Sequence, residues 1–496
     1  MIPKDGSMLI GEPFKDPTSV PSRNASSYKP LHTFALPKGA EKHYQQQYAD
    51  MYFLRLALLK KAVIQKAHEA WDDFELGGEK ATYVERVLDV RQGELCWVVG
   101  TVYMEMNLKP NVLDDISKEH WIVAPPPRET YVNSSGADDM MLEDESGRLR
   151  VIGETLNSTY VTGCILAALG TEQADGSFQV IATQFADLPR QPQRWEREDS
   201  DRTTVTKTKR EKSGKVAIVS GLGITGTEDD DLTLDLLLEY LTGEATGPTD
   251  QSNAAQITRL IVAGDSLSHA SPILSREDFA TKKNQKKHVY GYDASAYNAT
   301  PAEKLDSFLT QVLPTMPITI LPGASDPANV ALPQQPLHPA LFPHSRSFAN
   351  PPALSNETLH GLDSVTNPWE GDIEGWRVLG TGGQTVEDLL KYVEDVHPIE
   401  VMEMMLRWRC IAPTAPDTLW CYPFQDDDPL LLRECPHIYL AGNMKKFGRR
   451  VIEGPAGQKV LLVAVPKFRE TGQIVLVDLE SMEVELVECG VVQPGV

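Results

Sequence analysis

Three short glycine-containing stretches hold the residues of this 496-residue chain that could do chemistry. They are Ser220-Gly221-Leu222-Gly223, Gly264-Asp265-Ser266-Leu267-Ser268-His269 and Gly323-Ala324-Ser325-Asp326. Each comes directly after an apolar run: VAIVS (216–220), RLIVA (259–263) and ITIL (318–321). The chemistry open to Asp and His side chains in such loops is metal binding, in which a held cation polarises a substrate and activates a water. Asp265, His269 and Asp326 are the side chains able to hold one ion, as a relic or rewired mononuclear site. A two-ion clamp needs charged or imidazole ligands on both ions, and the three loops are short of them. The preferred reading is that these are ordinary polar loop residues. The six cysteines (Cys96, Cys164, Cys410, Cys421, Cys435, Cys489) are scattered, with no C-x-x-C pair. Zinc, an iron–sulfur cluster and a disulfide framework are therefore not expected, and buried thiols in a reducing compartment fit better.

The elements that must position the loops read as α/β from Lys215 onward. VAIVS is an uninterrupted apolar strand of the kind buried on both faces. Leu234, Leu237, Leu238 and Leu241 follow at helical spacing, with Gly243 placed to end that helix. Thr300-Pro301-Ala302-Glu303 reads as a capping box with proline at the first helical position, and Leu305, Phe308, Leu309 and Val312 form the buried face that follows. This β-α-β-α-β order implies a parallel sheet with helical crossovers. Ligands of such sheets sit beyond the carboxyl ends of the strands, where all three loops fall, so they should converge on one rim. Helices at about 385–394 and 398–409 then precede strands in HIYLAGN, KVLLVAVP and QIVLVDLE. KKNQKKHVYGYDAS (282–295) reads as an exposed loop and PLHPALFPHSRSFANPP (336–352) as extended chain.

Ahead of this domain, assigned to 215–496, the grammar differs. Residues 1–40 are rich in Pro, Ser and Lys and lack periodicity, which predicts a flexible or partner-ordered tail. From Tyr44 to about His68, Tyr48, Met51, Tyr52, Leu56, Leu59 and Val63 share one broad helical face, expected to pack on its own domain. Several short strands with Gly or Asp-Gly turns over 82–188 suggest a small closed barrel, and an OB-fold fits; helix and barrel together are assigned to 41–190. Nucleic-acid-binding OB-folds offer aromatic platforms in a basic groove. These strands show few exposed-looking aromatics and little positive charge, so the barrel reads as a protein-binding module. Residues 191–214 read as a charged linker. Its Lys207, Lys209, Arg210 and Lys212 could serve nuclear import, but a solvated linker is preferred.

Net charge is −23, the wrong sign for a chain that grips phosphates by itself, since such affinity comes from Lys and Arg displacing counterions. DNA contact is expected to be weak or indirect. No apolar run approaches the ~20 residues that span a bilayer, so no membrane partner is expected. The N-terminus, MIPKDGSMLIGEPFKDP, has no apolar core of a secretion signal.

From residue 215 to about 465 the layout resembles the calcineurin-like metallophosphoesterase fold, which carries D-x-H, G-D-x-x-D, G-N-H-[DE] and G-H-x-H at successive strand ends. Here Gly221 and Gly223 stand at the D-x-H positions. Asp265 keeps the first acid of the second motif and Ser268 replaces the other; Ala324 and Ser325 replace Asn and His in the third. The last motif is placed at Ala412-Pro413-Thr414-Ala415, so that Pro413 and Ala415 replace its histidines. A phosphoesterase core without its ligands, preceded by an OB-like barrel, resembles the B-subunit family of replicative DNA polymerases. RLIVAGDSLSH, LPGASDPANVALPQQPLHPALFPHS, NPWEGDIEGWRVLGTGGQTVEDLLKY and IAPTAPDTLWCYPF point to its delta branch. The resemblance implies an N-terminal OB-fold barrel followed by a calcineurin-like β-sandwich flanked by helices, with no catalytic, cofactor-binding or metal-binding residue. It implies a nuclear accessory subunit that binds the cysteine-rich C-terminal domain of the polymerase delta catalytic subunit. It also implies a bridge to a third subunit and, through the complex, to the sliding clamp. Two other functions stay open on the residues. One is an active phosphoesterase or nuclease with unorthodox ligands. The other is a single-strand-binding barrel supported by Lys282, Lys283, Lys286, Lys287 and by Lys445, Lys446, Arg449, Arg450.

Overall fold

A computed structural model describes residues 22–37, 47–110, 128–133, 138–153, 156, 160–197, 214–227, 231–244, 248–268, 299–349 and 361–490. Strand β1 (Tyr28–Leu31) comes first, then helix α1 (Tyr48–Trp71), the small hairpin β2 (Glu75–Leu76) and β3 (Glu79–Lys80), and β4 (Thr82–Tyr83). The barrel follows: β5 (Leu95–Glu105), β6 (Asp139–Glu143), β7 (Arg148–Ile152), β8 (Ile165–Glu172) and β9 (Phe178–Gln184). Its order is β4-β5-β6-β7-β9-β8, and β5 pairs again with β8, which closes the sheet on itself and removes its edges. The long β5 makes this possible, pairing β8 over Leu95–Thr101 and β6 over Thr101–Glu105.

The second part is a sandwich of two six-stranded sheets. One is built on the strands at the three loops: β10 (Lys215–Val219), β11 (Ile257–Ala263) and β12 (Ile318–Leu321), all parallel, with β13 (Leu362–Ser364) at the edge. Its crossovers are α2 (Asp231–Thr242), α3 (Pro248–Ala254) and α4 (Thr300–Val312). The other sheet holds β14 (Trp369–Ile373), β15 (Trp376–Thr381), β16 (Ile438–Met444), β17 (Gly448–Glu453) and β18 (Lys459–Pro466). Helices α5 (Gln384–Leu390) and α6 (Pro398–Arg407) lie between β15 and β16, and α7 (Phe468–Thr471) leads to β19 (Gln473–Asp478) and β20 (Val484–Glu488), which complete the first sheet. The period-2 alternation of strand side chains sorts residues between layers. Val216, Ile218 and Ile261 meet Val378, Ile438 and Leu440 between the sheets, whereas Ala217, Val219 and Leu260 face the helical layer of Leu237, Leu305 and Leu309.

The structure departs from the sequence expectations at five places. The N-terminal segment read as tail supplies β1, which pairs antiparallel with β14 from Tyr28↔Ile373 to Leu31↔Glu370; four residues with no periodicity of their own become a strand because an open sheet edge needs a partner. The first residues of the expected linker, through Arg197, form a strap on the sandwich. Gln191 donates to the carbonyls of Pro436 and Lys459 (2.9 and 2.7 Å), and Arg194 grips Glu480 with two nitrogens (3.1 and 2.9 Å). The polar composition that suggests a solvated linker here serves hydrogen bonding. Helix α4 is capped by Ala299, so Thr300 lies inside its first turn rather than closing a capping box. The proline-rich stretch is compact, with 3₁₀ turns at Pro339–Leu341 and Ser345–Phe348 around buried Phe342. The loop at 282–295 lies outside the described residues.

The fifth departure concerns α1. Leu56, Leu59, Val63, Ala67 and Trp71 do pack on the barrel strands, beside Trp97, Ile165 and Ala167. Arg55, on the same face, reaches past the barrel. It is 1% exposed, its Nε donates to Asp428 at 2.6 Å, and its Nη1 donates to the carbonyls of Ala412, Pro413 and Ala415 at 3.2, 3.3 and 2.5 Å. Around this latch the cores merge: barrel residues Val98, Leu166 and Phe178 share one apolar cluster with Met402, Trp408, Tyr439 and Leu462 of the sandwich. Removing one partner of a buried ion pair strands the other charge and costs about 3–5 kcal/mol. Arg55→Ala should therefore lower unfolding stability by about that amount in a urea titration, and the apolar pair Arg55→Met with Asp428→Leu should recover most of it. A single mutant within 0.5 kcal/mol (about the size of an ordinary surface substitution) would show that the latch holds nothing.

Candidate functional site: the strand-end rim

The loops after β10, β11 and β12 do meet at one rim, and loops from the opposite sheet complete it. Gly221 N–H donates to the Gly264 carbonyl (3.0 Å), Gly223 N–H to the Asp265 carbonyl (2.9 Å) and Ser268 N–H to the Ile224 carbonyl (3.0 Å). From the facing sheet, Asn443 Nδ2 donates to the Gly382 carbonyl (2.9 Å) and Asn443 N–H to Ser220 Oγ (2.7 Å). The strand end opposite Gly221 and Gly264 is thus Gly442-Asn443-Met444-Lys445. This corrects the placement of the fourth motif at 412–415. Pro413 and Ala415 instead sit against α1, where their carbonyls receive Arg55, and a Cβ on barrel residue Gly163 would collide with the Pro413 carbonyl oxygen. Spacing alone favours 412–415; the apolar run IYLA before Gly442 is the signal that points to the right strand end.

The candidate ligands are engaged elsewhere. Asp326 is buried and its carboxylate is filled by three backbone donors, from Leu267 at 2.8 Å, Gly323 at 2.8 Å and Ser266 at 3.2 Å. It ties the second loop to the third. Asp265 accepts from the Ser325 N–H at 2.9 Å, and Ser325 Oγ donates back to the Leu267 carbonyl at 2.5 Å. Ser268 contributes backbone to the rim, Ala324 carries no donor side chain, and His269 lies outside the described residues. Among the described residues no group of three or more His, Cys, Asp or Glu side chains could hold a metal. Basic residues stand nearby: Lys467, Lys391 and Lys445 lie close enough to Glu387 to offset part of the rise that burial imposes on its carboxyl.

Sequence reasoning missed an amide cluster that closes the rim from the side. Asn367 Nδ2 donates to Gln334 Oε1 and Gln384 Oε1 (both 2.8 Å), while Gln334 Nε2 reaches the Gly323 carbonyl (3.0 Å) and Asn367 Oδ1 receives the Gly382 N–H (2.9 Å). These residues come from two loops and the first turn of α5, and no spacing rule links them.

Backbone packing leaves little space for restored ligands. Gly221 has φ +63°, and a Cβ there would meet Asn443 Oδ1 at 2.7 Å and Lys467 Cα at 3.1 Å. A Cβ on Gly264 would lie 2.9 Å from Gly382 Cα and 3.2 Å from Gly323 Cα. The position where the phosphoesterase motif has its first Asp is, in this backbone, a glycine position.

This is the architecture of an OB barrel fused to a phosphoesterase-like domain, the class of the small, non-catalytic polymerase subunits. A family model described as the B subunit of DNA polymerase alpha/epsilon matches residues 216–449, and one described as DNA polymerase delta subunit OB-fold domain matches residues 47–183. The chain is 35% identical over 477 residues to the DNA polymerase delta small subunit of Saccharomyces cerevisiae, covering 90% of each. It is 35% identical over 470 residues to that of Arabidopsis thaliana, covering 94% of this chain and 96% of the relative. To DNA polymerase delta subunit 2 of Drosophila melanogaster it is 32% identical over 474 residues, covering 95% and 99%. The chain belongs to the DNA polymerase delta small-subunit family, whose members are non-catalytic components of the polymerase.

Two measurements test the rim. Gly221→Asp, which would restore the first ligand, should destabilise the chain by about 1–3 kcal/mol, the cost of holding a side chain at a left-handed position; a neutral or stabilised variant that gained bound manganese would contradict the close packing. The second concerns Asp326, which burial pushes from 3.8 to about 6 against the pull of its three N–H donors. Between those values the folded chain keeps a proton that the unfolded chain sheds, so this group's stabilisation is complete at low pH and fades as pH climbs through 6. The stability advantage of the natural chain over Asp326→Asn should accordingly be larger near about pH 4.5 than near about pH 7, and the opposite trend would refute the assignment.

Proposed function

We propose that the chain is a non-catalytic scaffold of DNA polymerase delta, acting in the nucleus in DNA replication and repair. In this reading it binds the cysteine-rich C-terminal domain of the catalytic subunit and a third subunit, and it reaches the sliding clamp only through the complex. Its rim is vestigial: Gly221, Gly223, Ser268, Ala324 and Ser325 mark where metal ligands would stand, Asp265 and Asp326 are the acids left in the three loops, and Asn443 and Lys445 take the place that spacing alone gives to Pro413 and Ala415. The observation that carries the reading is the rim itself, in a chain whose relatives bear the small-subunit name over nearly their full length. Its carboxylates are spent on backbone N–H groups and its strand ends pack glycine against glycine.

Several features support a platform. The merged core makes barrel and sandwich one body, able to present two faces in fixed relation. The barrel's cations are matched by acids, Arg150 with Asp139 at 2.6 Å and Arg148 with Glu143 at 3.4 Å, so the strands offer no continuous positive groove for a single strand. Tyr103 is flanked by Lys109 and Arg148 rather than left open for a base.

The purified chain should co-purify with the catalytic subunit and show no metal-dependent phosphodiesterase activity. Manganese-stimulated hydrolysis abolished by Asp265→Ala would establish the enzyme instead, and submicromolar single-strand binding with a steep salt slope would establish the DNA-binding barrel.

A further inference from the structure

A large cleft lies between the N-terminal segment and the compact proline-rich stretch. It measures about 990 Å³, the top of the roughly 300–1,000 Å³ range of small-molecule pockets, and its walls are largely apolar. Edge strands of both sheets border it: among the described residues β1 pairs only with β14, and β13 only with β12. In the β12–β13 ladder, Ile318 N–H bonds the Gly361 carbonyl and Val365 N–H bonds the Ile320 carbonyl. Odd-numbered residues therefore face β12. By alternation the backbone groups of Leu362 and Ser364 point the other way, and both residues line the cleft.

Arg346, in the wall of the cleft, is exposed and has no carboxylate partner among the described residues. The one acid of the lining, Asp363, is taken by the Tyr28 hydroxyl. An apolar trough with an open strand edge and an arginine that lacks a carboxylate partner fits one kind of occupant. We propose that this cleft docks an extended segment of a partner subunit, with apolar side chains and an acidic residue, added to β13 as a further strand. The segment's backbone meets Leu362 and Ser364, and its carboxylate meets Arg346. The inference rests on the scaffold reading and assigns a surface to it.

Amide hydrogen exchange of the full chain, alone and in the complex reconstituted with the catalytic subunit and the other subunits, tests this. Leu362 and Ser364 should exchange about tenfold more slowly in the complex. Arg346→Glu should abolish that slowing and weaken assembly by about tenfold, while Arg346→Lys retains both and neither variant changes the thermal midpoint of the isolated chain. Full assembly with these two amides unchanged would sink the docking surface and leave the scaffold reading standing. Amides already protected in the isolated chain would mean that its own residues 350–360 occupy the cleft, which also overturns the proposal. If no complex assembles, both readings fall.

Discussion

The arrangement of this molecule hangs on a buried cation placed where no ligand needs it. Arg55 leaves the barrel's helix and is received by one carboxylate and three carbonyls of the sandwich. Such a charge is costly to bury and needs good hydrogen bonds to offset the cost; Nε and Nη1 make them, while the buried Nη2 has no partner among the described residues. Asp428 is held in turn: its second oxygen accepts the Leu430 N–H at 2.9 Å, so both partners are fixed in geometry. Two further ties run parallel to it, Arg409 to the carbonyls of Ala186 and Asp187 and Lys109 to Asp417 at 2.7 Å. With the barrel fixed in this way, the apolar faces of both parts can close into a single core without a flexible joint.

What is legible in the sequence is what is local. The parallel strands β10, β11 and β12, the buried faces of α2 and α4, and the barrel hairpins all carry periodic side chains or turn residues, and each lies where expected. The features that periodicity does not reveal are set by distant partners. β1 is a strand because β14 offers an edge; the strap around Gln191 is ordered because carbonyls of Pro436 and Lys459 await donors. A single arginine beside an apolar helical face looks like a surface residue, and Arg55 is no exception in sequence. Only its four acceptors, more than 350 residues away, make it a core residue. β14, β15 and β17 are equally silent: WEGDI and GRRVIE mix glycine and charge in ways that no period reveals, and pairing across the sheet decides them.

The rim is legible in its first three strand ends and not in its fourth. Glycine after an apolar strand is a strong local signal, and it locates Gly221, Gly264 and Gly323. It also marks Gly442, but Ala412–Ala415, a stretch rich in small residues, competes with it, and the fold uses that stretch as acceptors for Arg55. Spacing finds the loops that end strands; it does not say which of two candidates faces the others across a sandwich.

Polar groups at a working hydrolytic centre must be left partly unmet, so that metal and substrate can complete them. At this rim the opposite holds. Asp326 is saturated by main-chain donors, Asp265 is tied to the neighbouring loop, and Gln334, Asn367 and Gln384 satisfy one another and the glycine backbones around them. Among the rim's buried side-chain atoms, Asn443 Oδ1 and Ser266 Oγ have no hydrogen-bond partner, and neither can bind a divalent ion without carboxylate or imidazole help. The groups that would serve chemistry in a phosphoesterase here stitch two sheets together at their ends. The same hydrogen bonds that occupy the rim's polar groups tie the strand ends of the two sheets together, so the rim braces the sandwich at this end.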